Sequence, residues 1–192
     1  LRSWAPPAHE PRAATPSGAH PGPGDRYWLL FDVFAPADGA QHDYQTWFHL
    51  NSAASLTDPD LKAVVSAEAG AANLAIVPLW SDPSDAEVIC GQEEPEVQGW
   101  AHLTGYECIP VATPVFKRSA AGTCVMPYLL YPLKPGESLP VRSVKVSRGG
   151  TVEISYKDGG KDVIRYNIGD KRLERLSLTT RRQGKRDTLP IL

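Results

Sequence analysis

The densest run of side chains able to do chemistry is His42, Asp43, Tyr44, Trp47 and His49. A His and a Tyr two positions apart on an extended strand share a face, where the phenol can exchange a proton and the imidazole can assist it. His42 and Tyr44 are therefore the candidate catalytic pair. Strand alternation sets His42, Tyr44, Thr46 and Phe48 on one side and Asp43, Gln45, Trp47 and His49 on the other. The two imidazoles then diverge, which argues against a zinc ion shared by His42, Asp43 and His49, and no metal site is assigned. The competing reading gives Tyr44, Trp47 and Phe48 to the core and leaves the imidazoles as hydrogen-bonded edge groups.

A second group, Trp100, His102 and Tyr106, lies in a Gly-containing stretch at 99–106. Aromatic faces pack against the apolar faces of pyranose rings, so these three are the candidate substrate-binding residues. The same rings would also serve as a plug at one end of a sheet sandwich. Cys90, Cys108 and Cys124 show no CxxC or CxxH spacing and no base or cation in sequence reach, so each is expected to be a small buried hydrophobe. GxSxG, GxxxxGK[ST], HExxH and GxGxxG are all absent, so no self-contained hydrolase, nucleotide or metalloprotease site is expected, and no cofactor.

The elements that must position these groups are strands. Residues 27–34 are an apolar and aromatic run bounded by Gly24 and by Pro36-Ala37-Asp38-Gly39, which predicts a strand buried on both faces. Residues 42–50 follow a Gly-containing loop and predict a second strand, antiparallel to the first. Further strands are predicted at 61–67 and 73–79, around Val88-Ile89-Cys90, at 111–117 and at 123–131. In the last third, 141–147, 151–156 and 162–168 are separated by Gly149-Gly150 and Gly159-Gly160, where Gly supplies the positive φ of tight hairpins. A last strand is expected at 173–179. Many short strands with turns at roughly ten-residue spacing predict an all-β fold, an antiparallel β-sandwich.

Composition bounds the rest. The chain has 192 residues, 42% hydrophobic and 22% charged, enough for one domain with its own core. No apolar run approaches the ~20 residues of a membrane helix. Residues 1–24 hold six prolines and little apolar bulk, so a linker or disordered arm is expected there, with the folded domain at 25–192. The chain opens on Leu1 with no basic segment followed by an apolar one, which suggests a processed or excised piece of something longer. Net charge is −2, but residues 1–133 carry 6 Lys/Arg against 15 Asp/Glu, and residues 134–192 carry 14 against 7. The basic stretch suits an anionic partner or a solvated tail. Nucleic acid is disfavoured, because the aromatic interleaving of an RNP-type surface is missing.

The order of segments resembles the C-terminal β-sheet region of the heparinase II/III-like polysaccharide lyases. The likeness rests on 25–32, on His42-Asp43-Tyr44-Gln45-Thr46-Trp47-Phe48-His49-Leu50, on Gly99-Trp100 with Gly105-Tyr106, and on 125–132 closing at Pro135-Gly136. It implies antiparallel β layers that follow an α/α toroid, and β-elimination of uronic-acid polysaccharides such as glycosaminoglycans. In that family the base and acid come mainly from the toroid, with a further His and a structural metal site from the start of the sheet region. Here the corresponding early positions are the Pro-rich 1–24, so no catalytic or metal residue is transferred. The resemblance implies a domain that supports a toroid and lines a substrate cleft with His42, Tyr44 and Trp100. It also implies a periplasmic or secreted setting and an anionic polysaccharide partner; no membrane partner is expected, for want of a long apolar run. The alternative is a carbohydrate-binding or interaction module for anionic glycans without catalysis, using Trp100, Tyr106 and the basic hairpins of 142–186.

Overall fold

The computed structural model describes residues 27–80, 85–102, 107–147, 149–169, 172–182 and 185–190. The arm expected at 1–24 and Tyr106 lie outside them. Fifteen strands and no helix occur among the described residues. They are β1 (Trp28–Phe34), β2 (Gln41–Trp47), β3 (Ala54–Asp58), β4 (Ala63–Ser66), β5 (Asn73–Pro78), β6 (Asp85–Ile89), β7 (Trp100–His102) and β8 (Cys108–Pro110). The chain continues through β9 (Thr113–Ala121), β10 (Cys124–Leu133), β11 (Val141–Ser147), β12 (Thr151–Tyr156), β13 (Lys161–Gly169), β14 (Arg172–Arg182) and β15 (Lys185–Pro190). The fold is all-β and antiparallel throughout, a sandwich.

The sandwich has three layers. The central sheet runs β1-β10-β5-β4-β3, a meander β11-β12-β13-β14-β15 covers one face, and β2-β9-β6 covers the other. A central layer must be apolar on both faces, and β10 is, as C-V-M-P-Y-L-L-Y-P-L. Its Leu129, Tyr131 and Leu133 pack with Val77 and Leu79 against Val152, Ile154, Tyr156, Ile164 and Leu176 of the meander. Its Cys124, Met126 and Tyr128 pack with Ile76 and Trp80 against Phe116, Tyr44 and Phe48 of the other layer. Each fully buried side chain of this size contributes about 1.5–3 kcal/mol relative to exposure. The strand predicted to end near Tyr131 continues through Pro132 to Leu133, so the second proline does not stop it.

One expected pairing is different. β2 is not the hairpin partner of β1; it pairs with β9, while β1 pairs with β10. The reason lies in β2's inward side chains: Tyr44 and Phe48 complete the second core by covering the central sheet face-on, and the Thr46 hydroxyl donates to Asp32 of β1 across the layers at 2.8 Å. Edge pairing with β1 would carry those rings away from that core.

The meander is held by Gly-dependent turns. Gly150 has φ 72°, and a Cβ there would lie 2.2 Å from the Tyr166 carbonyl oxygen, so any side chain meets both strain and collision. The meander is also tied to the central sheet by a fully buried carboxylate: Asp162 Oδ2 accepts from the Tyr27 and Tyr156 hydroxyls, each at 2.8 Å.

Candidate functional site

Of the predicted residues, His42 and Tyr44 do meet, on the inward-facing side of β2, with ring centroids 6.0 Å apart. Each already has a partner. His42 Nε2 lies 2.7 Å from Asp38 Oδ1 at the exposed start of the strand, and this bond, more than any other influence, holds the Asp38 carboxyl below its ordinary range. The Tyr44 hydroxyl donates to the Gly122 carbonyl at 3.2 Å while its ring packs on Phe34, centroids 4.8 Å apart. Desolvation chiefly, with Cys124 and Asp38 nearby, pushes the phenol above its ordinary value, so it is held as a neutral donor near neutral pH. His49 is exposed beyond the end of β2, on the side away from Tyr44.

Trp100 and His102 alternate on β7 with Ala101 between them. The Trp100 indole N–H donates to the Gln92 carbonyl at 3.0 Å, and its ring edge lies over Gly91. His102 is exposed. The cysteines split. Cys124 is buried as expected, its thiol pushed up by desolvation against the opposing pull of the Arg118 guanidinium, but Cys90 and Cys108 are exposed. Cys90 follows the last residue of β6, and Cys108 opens β8 of the two-stranded β7-β8 sheet. No group of three or more His, Cys, Asp or Glu suited to a metal occurs among the described residues.

Pairing register builds a different site, on the outer face of the meander. Residues directly opposite on antiparallel strands share a face. With Val152, Ile154, Tyr156, Asp162, Ile164 and Leu176 inward, the outward set is fixed by alternation. Lys145 lies opposite Glu153, Glu153 opposite Val163, and Val163 opposite Thr179. Lys161, Arg181 and Arg186 stand in one row across three neighbouring strands. Arg165, Ser177 and Pro190 form a second row, and Asn167 stands opposite Arg175. Six exposed cations, Lys145, Lys161, Arg165, Arg175, Arg181 and Arg186, thus share one face with Glu153 and, at its end, Glu174.

Glu153 sits among the cations. Lys161 Nζ lies 2.8 Å from its Oε1 and is the main reason its carboxyl is held below the ordinary range, with Lys145 and Arg181 adding to the effect. The register shifts between Asn167 and Ile168, where Glu174 is the extra residue of a β-bulge on β14, and Glu174 accepts from the Asn167 amide at 3.3 Å. Beside the bulge is a hollow of about 270 Å³ lined by Arg165, Tyr166, Asn167, Arg175, Leu176, Ser177 and Pro190. Sequence reasoning located the basic stretch and missed this face. The available signal was alternation within it: Lys161 and Arg165 are four apart, and Arg175 and Arg181 six apart, all even intervals that keep a strand's side chains together.

No protein-family model matches the chain, and neither a curated protein nor a solved structure does. The functional reading therefore rests on sequence and geometry.

Proposed function

We propose that this chain is a β-layered domain of a polysaccharide lyase resembling heparinase II/III, and that it holds an acidic polysaccharide on the outer face of β11–β15. In this reading the β-elimination itself belongs to an α/α toroid of the parent protein. The observation that carries the proposal is the gathering of six cations on one sheet face. Side chains two apart on a strand repeat at about 6.7 Å, and neighbouring strands lie about 4.8 Å apart, so the Lys161-Arg181-Arg186 row spans about 10 Å. Such a lattice of charge attracts an extended polyanion along several contacts at once. The segment order through 25–136 supplies the substrate class, a uronic-acid polysaccharide. The alternative, an anionic-glycan binding module without catalysis, draws on the same face and differs only in needing no toroid.

Affinity measurements on heparin, heparan sulfate and alginate across a salt series test the reading. Binding that weakens steeply as salt rises is expected, because exposed charge contacts are screened within about 8–10 Å at 0.1–0.15 M ionic strength. Binding indifferent to salt, or no binding at low salt, overturns it. Parallel assays for the ultraviolet absorbance of unsaturated product are expected to stay flat; sustained turnover by this chain would transfer the chemistry to residues such as His42 and Tyr44.

A further inference from the structure

The outer face is not uniform. Its Lys161-Arg181-Arg186 row is exposed, and Lys161 is already paired with Glu153. The Arg165 and Arg175 end is concave, and among the described residues neither guanidinium has a carboxylate within ion-pair distance. Arg165 stands opposite Ser177 and Arg175 opposite Asn167, so the two arginines are diagonal neighbours across β13 and β14, about 7–8 Å apart at their bases. Their planar forks offer paired N–H donors shaped for an oxyanion. Between them the Ser177 hydroxyl and the Asn167 amide can meet sugar hydroxyls, and the Pro190 ring offers an apolar surface for ring C–H groups. At about 270 Å³ the hollow is smaller than the usual 300–1,000 Å³ of clefts for drug-sized ligands, which suits one sugar unit of a longer chain.

We infer that the hollow beside the β13–β14 bulge is a subsite for a single anionic sugar unit, its carboxylate or sulfate bracketed by Arg165 and Arg175. This rests on the glycan-binding reading above and adds a local, stoichiometric contact to a diffuse electrostatic one. Glu174, tied to Asn167 at the hollow's end, opposes the anion, so its neutralisation strengthens binding.

The test uses short probes, which a diffuse charge lattice holds weakly and a formed subsite holds. A glucuronate-containing disaccharide, unsulfated and sulfated, is titrated into the chain and followed by backbone amide NMR, with long heparin measured in parallel. Expected is saturable disaccharide binding with shifts confined to residues around 165–167 and 175–177. R165Q/R175Q is expected to weaken the disaccharide at least 10-fold. K145Q/R186Q, which removes the same charge elsewhere on the face, is expected to change it less than 2-fold, while both variants weaken long heparin alike. Glu174→Gln is expected to tighten the disaccharide. Circular dichroism confirms that each variant is folded. Preference for the unsulfated probe assigns a carboxylate, and preference for the sulfated one a sulfate.

If long heparin binds but the disaccharide does not saturate, or if the two double variants weaken it equally, the subsite is overturned and the polyanion reading stands. If the disaccharide binds at the hollow and long polymers bind no better, the subsite stands and the extended face falls. A single-stranded oligonucleotide that displaces the disaccharide as well as a sulfated glycan does would overturn the sugar assignment.

Discussion

Glu153 shows how far one side chain's chemistry depends on its neighbours across the sheet. Its depressed titration comes first from the Lys161 ammonium, then from Lys145 and Arg181, and its side chain is only about a third exposed, at 34%. A carboxyl depressed on folding adds stability above its unfolded value, and that stability is lost as pH falls through the lower folded value. Lys161→Gln is expected to move the Glu153 titration upward towards the ordinary carboxylate range, read by carbon NMR of the side-chain carboxyl. An unmoved midpoint would sink the pairing. As Glu153 protonates in the wild-type chain the face gains net positive charge, so the proposed polyanion binding is expected to strengthen on the acid side. His42 and Tyr44 illustrate the complementary case. Both were legible as polar residues on one strand face; Asp38, four residues before His42, is a local partner, but nothing local in the sequence could tell that the distant Gly122 carbonyl occupies Tyr44.

At the scale of elements, the hairpins of the last third were readable because their turns carry glycine and their strands alternate. The order β11 to β15 is simply sequential, so each strand finds its neighbour through a short loop. Gly150 is the sharpest dependence: its φ of 72° and its approach to the Tyr166 carbonyl leave no room for a methyl group. Gly150→Ala is expected to lower stability by about 1–3 kcal/mol from backbone strain alone, with the collision adding to it. Urea unfolding measures this, and an unchanged midpoint would show that the turn relaxes freely. β2 was less legible. It was recognisable as a strand, but its partner β9 lies some seventy residues further along, and pairing across that separation has no local signature.

At the scale of the whole molecule, layering decides which residues cooperate. The β2 face with His42 and Tyr44 and the cationic face of the meander cover opposite sides of the central sheet, so they act independently. Asp162 joins the meander to the central layer, since Tyr27 at the entrance to β1 and Tyr156 on β12 both donate to it. Asp162→Ala is expected to cost about 2–4 kcal/mol in chemical unfolding, because two hydroxyls lose their shared acceptor in a buried setting. A loss below about 0.5 kcal/mol would mean that the layers hold without this tie.

By itself the sequence determined the all-β class, the strand positions in the last third and the concentration of positive charge after residue 133, because propensity, period-2 alternation and glycine turns are local properties. The tertiary structure decided which strand lies beside which and therefore which cations share a face. It turned a basic stretch into a lattice with a hollow at one end, and it spent His42, Tyr44 and Trp100 on local hydrogen bonds. The physical reason is that faces and partners depend on long-range register, and register is fixed only when both sides of the central sheet are buried.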